Sequence, residues 1–190
     1  MAHKPENIAK QVEQSGDSGK GLPPLDKWNP ELSGDIDIRI TRDGQWIYEG
    51  EPLAREAIVR LFSTILRRED DGQYYLVTPV EKWRVQVEDA PLLAHTLEVK
   101  GKGTDQTLYL TTNVGETLAV GNEHPLSVGR YPGSDEPRPV VVVRHGLEAR
   151  LVTAAYYDLA EHVSEGQMDD GSPILGVWSG GNFYEIGQGS

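Results

Sequence analysis

A single stretch, Asp70–Asp89, constrains the fold of this chain more than any other. It contains a turn, an apolar strand, a proline-containing turn and a second strand in which Trp83 and Val85 alternate with polar residues. Such alternation is typical of a half-buried antiparallel hairpin. A weaker copy returns about a hundred residues later, at Asp169–Ile186. The chain is therefore predicted to contain a duplicated β-rich unit.

The first unit is predicted to open with a hairpin that turns at Asp43-Gly44, a dipeptide that tolerates the positive φ angles of a tight turn. A two-residue loop there directs Ile47 toward the same face as the isoleucines of the preceding strand. The same register turns Trp46 and Tyr48 to the opposite face. We therefore expect an isoleucine core face and an aromatic face that meets another surface.

A helix is predicted after Pro52, because apolar residues recur at helical spacing from Ala54 to Ile65. Arg67 and Arg68 then fall in its last turn, where the helix dipole favours cations. The Asp70–Asp89 hairpin follows. The first unit thus reads as hairpin, helix and hairpin.

The second unit is predicted to begin with a β-meander of three short strands within residues 95–120, separated by glycine-containing turns. The segment Gly129–Pro139 is rich in glycine, proline and charge. We expect it to be a long exposed loop, either a plain connector or a recognition arm.

The order of elements predicted for the first unit then recurs in the second unit. A turn at residues 145–146, a helix over about 154–165 and a hairpin turn at 180–181 are predicted. The last turn places Trp178 across from Phe183 as a cross-strand aromatic pair. The fold class is therefore α+β, with two hairpin–helix–hairpin units, the second extended by the meander.

Composition limits the functional classes. The chain has no cysteine and a formal net charge of −12, and both units are acidic. Acidity argues against nucleic acid as a partner, since a phosphate backbone is repelled. No apolar run reaches the length of a membrane span, so a cytoplasmic protein without a membrane partner is expected. Residues 1–22 are predicted to be a disordered tail, with a short helix near Ile8–Val12 as an alternative.

The sequence contains no recognisable catalytic, cofactor or metal motif. Ser179 lies in a run that resembles a nucleophile elbow, but Val177 stands where that motif has glycine. Asp35 and Asp37 project to the same side of a strand, and His145 lies in a turn. We interpret these residues as structural or solvated and predict no catalytic residue, no cofactor and no metal.

Four motifs carry a family resemblance: DIDI at 35–38, DGQWIYEGEP at 43–52, DGQYYLVTPVEK at 71–82 and GVWSGG at 176–181. Together they resemble an uncharacterised proteobacterial domain-of-unknown-function family with internal domain duplication. The resemblance implies two domains, at 23–90 and 91–190, with a C-terminal half similar to a pleckstrin-homology partial barrel. It also implies a binding site near the domain interface and a role in signalling or regulation.

These observations favour a non-catalytic binding or regulatory module, acting in bacterial signal transduction, over an enzyme. The predicted ligand is a protein or a small molecule held at the seam between the domains; the oligomeric state is left open. The predicted site residues are Trp46, Tyr48, Glu81, Lys82, Trp83 and Trp178. The alternative is a hydrolase that uses carboxylates or His145 near the 129–139 loop.

Overall fold

The computed structural model describes residues 4–15 and 21–188. Within these residues the chain forms two compact units. The first comprises the residues up to Pro91 together with His145–Leu147, and the second comprises Leu92–Arg144 and the residues from Glu148 onward. Each unit combines helices with mainly antiparallel sheets, which confirms the α+β class and the two-unit organisation.

In the described residues, the helices and strands of the first unit are α1 (Pro5–Gln14), a short 3₁₀ helix (Leu25–Lys27), β1 (Leu32–Ile40), β2 (Trp46–Tyr48), β3 (Glu51–Pro52), α2 (Glu56–Ile65), β4 (Leu66–Arg68), β5 (Tyr74–Val77) and β6 (Lys82–Val87). The six strands form one sheet of order β3-β2-β1-β6-β5-β4. All pairs are antiparallel except β1 with β6, which are parallel. The Asp70–Asp89 stretch forms the predicted hairpin, because β5 and β6 pair antiparallel.

Helix α1 corrects the prediction of a disordered tail for the described residues of that segment. Ile8 and Val12 lie one turn apart on this helix and are fully buried in the core of the first unit. The Thr78 hydroxyl donates to Gln11 Oε1 at 2.9 Å. Burial of this apolar stripe against the unit offsets the entropy of ordering a polar segment. Residues 1–3 and 16–20 of the predicted tail lie outside the described residues.

The register predicted for the first hairpin is wrong by one residue. Thr41 N–H donates to Gln45 O, and Gly44 N–H donates to Thr41 O, so the loop has three residues. Gly44 has φ of +85°, as expected for a type I turn followed by a left-handed residue. Ile40 consequently pairs with Trp46. A one-residue slip exchanges the two faces of a strand, so Trp46 joins the isoleucine core.

Helix α2 ends at Ile65, and β4 begins at the next residue. Arg67 and Arg68 therefore belong to a strand and not, as predicted, to the last turn of the helix. Leu66, Arg67 and Arg68 pair antiparallel with Leu76, Tyr75 and Tyr74 of β5, so this segment is part of the sheet. Arg67 also donates to the carbonyl oxygens of Leu25 and Trp28, at 3.1 and 3.0 Å.

In the described residues, the helices and strands of the second unit are β7 (Leu92–Lys100), a short 3₁₀ helix (Gly103–Asp105), β8 (Thr107–Thr112), β9 (Thr117–Ala119), β10 (Leu126–Arg130), β11 (Pro137–Val142), β12 (Glu148–Leu151), α3 (Thr153–Ala160), β13 (Ser164–Gln167), β14 (Pro173–Ser179) and β15 (Asn182–Gln188). The strands form a six-stranded sheet of order β10-β11-β12-β7-β8-β9 and a three-stranded sheet of order β13-β14-β15. The predicted antiparallel meander is confirmed by β7, β8 and β9.

The predicted long loop at Gly129–Pro139 is mostly a hairpin. In the β10–β11 ladder Leu126 lies opposite Val141 at one end, and Arg130 lies opposite Pro137 at the other. Residues 131–136 connect the two strands. Pro137 and Pro139 precede Val140, the first residue of β11 that pairs with β12. Their missing N–H groups therefore interrupt no bond with β12, which is why a strand tolerates both prolines.

The repeat holds for the order of elements. Each unit contains a hairpin, a helix and then three antiparallel strands, β4–β5–β6 in the first and β13–β14–β15 in the second. The sheet pairing differs. In the first unit β1 pairs with β6 and joins both hairpins in one sheet, whereas in the second β12 pairs with β7 and leaves β13–β15 as a separate sheet.

Candidate functional site

Two predicted site residues, Trp46 and Tyr48, lie on β2. Trp46 is 3% exposed and packs against Phe62 of α2, with ring centroids 6.2 Å apart. Tyr48 is half-buried against the same core, and burial, with a smaller effect of Glu49, raises the pKa of its hydroxyl. Trp46 is therefore a core residue of the first unit, and Tyr48 lies at the edge of that core.

Three further predicted residues, Glu81, Lys82 and Trp83, lie at the start of β6. The indole Nε1 of Trp83 donates to Glu81 Oε2 at 2.9 Å, and Trp83 is 6% exposed. Its ring also lies over Gly34, where an added Cβ would come within 3.3 Å of the indole. Trp83 thus packs inside the first unit, with its N–H satisfied by a neighbouring carboxylate.

Lys82 belongs to a charged network on the sheet. Its Nζ is 2.9 Å from Glu69 Oε1, and Arg67 Nη2 is 2.6 Å from Glu69 Oε2. Burial raises the pKa of Glu69, but the hydrogen bonds and charges of Lys82 and Arg67 outweigh it and lower that pKa overall. Lys82 Nζ also lies 4.8 Å from the centroid of the Tyr75 ring. These mutual contacts occupy the charged groups and indicate a structural role.

The remaining predicted site residue, Trp178, lies on β14 in the second unit. It pairs across the strand with Phe183 and the two ring centroids are 5.3 Å apart, which confirms the predicted aromatic pair. The interpretation of the six residues as a shared ligand site stays a prediction.

Ser179 is a buried structural hydroxyl. It is fully buried, accepts a hydrogen bond from Leu108 N–H at 2.9 Å and donates to Val120 O at 2.7 Å. Both of its bonds go to backbone groups distant in the chain. The hydroxyl therefore ties the β14–β15 hairpin to the meander, as the structural interpretation of this residue predicts.

Asp35 and His145, which the hydrolase alternative would use, each lie beside another charged or titratable side chain. Asp35 Oδ1 is 2.7 Å from Arg84 Nε, and His145 Nδ1 is 3.4 Å from Asp26 Oδ1. Among the described residues, no group of three or more His, Asp or Glu side chains is placed to hold a metal ion. The hydrolase alternative stays a prediction.

A cleft of about 720 Å³ lies in the second unit between two strands that each end a sheet. One side is formed by β10 and the other by β15. The Cα atoms of the two strands come within 8 Å of each other, yet no pairing joins them. In the described part of the chain, β10 pairs only with β11, and β15 only with β14. The cleft is thus bordered by two open sheet edges.

The backbone of β10 presents hydrogen-bonding groups along its open edge. Val142 N–H donates to Pro125 O at 3.0 Å, which makes these two residues a hydrogen-bonded pair of the β10–β11 ladder. Because such pairs alternate with non-bonded ones, the N–H and C=O groups of Leu126, Val128 and Arg130 point away from β11. No strand pairing occupies these groups in the described part of the chain.

Most of the exposed lining of the cleft is polar, and a smaller apolar wall lies on one side. Tyr156 of α3 and Tyr184 and Ile186 of β15 line it and pack against the core of the second unit. Arg130 and Asp135 also line it, and their side chains form an exposed ion pair at 2.8 Å. An apolar wall beside an open strand edge is suited to an extended polypeptide segment.

A second groove, of about 640 Å³, lies between α1 and α2 in the first unit. Its floor is formed by small and apolar residues, including Ala9, Ala57 and Ile58. Acidic and basic side chains alternate along its rim, so the groove has no dominant charge that selects a ligand. We therefore take the β10–β15 cleft as the candidate site.

Sequence reasoning missed this cleft because the segment that forms half of it was interpreted as a loop. A signal was present: Val128 and Val140 flank the Gly129–Pro139 segment as β-branched residues typical of strands. The open edges themselves had no local signal, since they depend on which distant strands pair.

The fold and the site define an α+β protein of two units with a strand-edge cleft in the second. Two family models match the chain, "Domain of unknown function (DUF1285), N-terminal domain" over residues 23–90 and "Protein of unknown function (DUF1285), C-terminal domain" over residues 91–186. The chain belongs to the DUF1285 family, which confirms the resemblance found in its motifs.

Two solved structures are similar to this chain. A DUF1285 family protein from Silicibacter pomeroyi is 42% identical, with a TM-score of 0.82 over 93% of each chain. A DUF1285 family protein from Shewanella baltica is 31% identical, with a TM-score of 0.52 over 66% of this chain and 91% of that one. A comparison with curated proteins found no match. No helix in residues 4–15 and 21–188 is long and apolar enough to cross a membrane.

Proposed function

We propose that this protein is a non-catalytic binding module and that the β10–β15 cleft of its second unit takes up an extended segment of a partner protein. The observation that carries the proposal is the pair of open sheet edges bordering one cleft with an apolar wall. Strand addition to an open edge satisfies the backbone groups of both partners, and pockets beside the edge read alternate side chains.

The length of the edge suits a short segment. The five residues of β10 span roughly 14 Å at about 3.4 Å per residue, so a bound segment of five to seven residues would cover the edge. Partner capture of this kind fits the regulatory or signalling role that the family resemblance implies. The separate β13–β15 sheet beside the edge of the larger sheet supports the further proposal of an incompletely closed, pleckstrin-homology-like barrel.

The test is a selection of phage-displayed random heptapeptides on the full chain. The informative variant is Val128→Pro, which removes one N–H group from the open edge. Val128 lies opposite Pro139 in a non-bonded pair, so the substitution removes no bond to β11. Val128→Ala is the matched control, because it shortens the same side chain and keeps the N–H group.

Selected peptides are expected to bind wild type and Val128→Ala and to lose at least tenfold in affinity for Val128→Pro. They should also slow hydrogen exchange at the amides of Leu126, Val128 and Arg130 in the wild type. Circular dichroism checks that Val128→Pro is folded. Recovery of no peptide, or equal binding to both variants, would overturn the proposed function.

A further inference from the structure

The charge of the second unit indicates what kind of segment the cleft selects. We infer that the partner segment is basic, with apolar and basic residues alternating along an extended strand. This inference rests on the proposed function and adds the chemistry of the partner.

The rim of the cleft carries an uncompensated acid. Among its charged lining residues, Arg130 is already bound to Asp135 at 2.8 Å. Glu185 on β15 also lines the cleft, is exposed, and forms no ion pair within the described part of the chain. A cation on an incoming strand would therefore meet Glu185 without displacing an existing partner.

The whole unit reinforces this local charge. Residues 91–190 contain six basic and thirteen acidic side chains, a formal charge of −7. Ion pairs between described residues already involve some of these bases: Arg130 pairs with Asp135, Arg138 with Glu148 and Arg144 with Glu116. The remaining acidic excess attracts a cationic segment and repels an anionic one at long range.

The apolar wall of the cleft determines which positions of the bound segment are apolar. Successive side chains of a strand point to opposite faces, so every second residue of a bound segment would lie on the side of Tyr156, Tyr184 and Ile186. The intervening residues would face the rim and solvent, where Glu185 lies. Apolar residues are favoured at the first set of positions and lysine or arginine at the second.

The test compares two capped heptapeptides by isothermal titration calorimetry with the full chain, at low and at high salt. One alternates lysine and valine, and the other alternates glutamate and valine. The lysine peptide is expected to bind at least tenfold tighter at low salt, with an advantage that shrinks at high salt. Its binding must be lost in Val128→Pro, because attraction to an acidic protein alone would not depend on that amide.

Glu185→Gln is expected to weaken the lysine peptide by about two- to fivefold, the usual effect of one rim charge. Glu98→Gln removes the same formal charge from an exposed position outside the cleft and should leave the affinity unchanged.

Equal affinity for the two peptides, tighter binding of the glutamate peptide, or binding of neither peptide would overturn the inference. The proposed function survives each of these results if the phage selection returns peptides that depend on the Val128 amide. The proposed function is overturned only if the phage selection also returns no peptide whose binding depends on the Val128 amide.

Discussion

Trp46 lies against Phe62 in the core of the first unit, with the two ring planes tilted by 46°. The contact joins β2 to α2, and Trp46 also pairs across the sheet with Ile40. Three elements therefore meet at this indole. Its position follows from the three-residue loop at residues 42–44, which turns it toward the helix.

Replacing this indole tests the register of the hairpin. Trp46→Ala should lower the free energy of unfolding by about 3–5 kcal/mol, since it leaves a large cavity beside Phe62. Trp46→Phe should cost less, because the indole Nε1 has no hydrogen-bond partner among the described residues. Urea unfolding measures both. Tyr157→Ala, at a side chain that is 68% exposed, is the control and should change stability by less than about 0.5 kcal/mol. A Trp46→Ala value near that of the control would contradict the core position.

The loop conformation can be tested at Gly44. Its φ of +85° lies in the left-handed region, so Gly44→Ala should cost about 1–2 kcal/mol. Gly121→Ala is the matched control, since an added Cβ there meets no atom within 4 Å and its φ lies outside the left-handed region. Thermal unfolding of the two variants should separate them, with Gly121→Ala close to wild type. Equal melting temperatures would argue against the left-handed conformation of Gly44.

A further prediction concerns the buried hydroxyl of Ser179. Ser179→Ala leaves Leu108 N–H and Val120 C=O without this partner in the interior. An orphaned buried group costs about 1–3 kcal/mol, so a loss of at least about 2 kcal/mol is expected in urea unfolding. Ser127→Ala, on the exposed edge strand β10, should have little effect. A neutral result for Ser179→Ala would show that the hydroxyl does not hold the hairpin to the meander.

The Glu69 network predicts a pH dependence of stability. The lowered pKa of Glu69 means that its folded carboxylate stabilises the protein above the unfolded value of 4.5, and that this contribution is lost as pH falls through the lowered pKa. Glu69→Gln should therefore be less stable than wild type by about 1.5–3 kcal/mol near neutral pH, and the difference should shrink in acid.

Urea unfolding across the acidic range gives the measurement for Glu69. Asp35→Asn provides the contrast: Asp35 is 74% exposed in its pair with Arg84, so this variant should cost less than about 1 kcal/mol at any pH. A wild-type advantage over Glu69→Gln that does not vary with pH would exclude the carboxylate as its source.

Two turns show how far sequence reasoning could go. At Gly180-Gly181 both residues have positive φ, and the predicted two-residue hairpin is confirmed. At Asp43-Gly44 only the glycine has positive φ, and the loop has three residues. Asp-Gly is compatible both with a two-residue mirror-image turn and with a type I turn closed by a left-handed glycine. The sequence therefore left the loop length open, and the burial of Trp46 selects the register.

The candidate site could be predicted from local sequence patterns even less than the hairpin register. The edges of the cleft exist because β7 pairs with β12 and because β13–β15 form their own sheet. No motif within β10 or β15 specifies that arrangement. By contrast, the composition of residues 91–190 already indicated an acidic surface for the second unit.

By itself, the sequence determined the α+β class, the order of hairpins and helices in both units, most turn positions and the family. Local alternation, helical spacing and glycine placement specify these features, because each depends on neighbours in the chain. The tertiary structure alone decided the register of β2, the burial of Trp46, the strand character of residues 126–130 and 137–139 and the open edges of the cleft. Those outcomes depend on contacts between distant segments, which select among arrangements that local preferences leave nearly equal in energy.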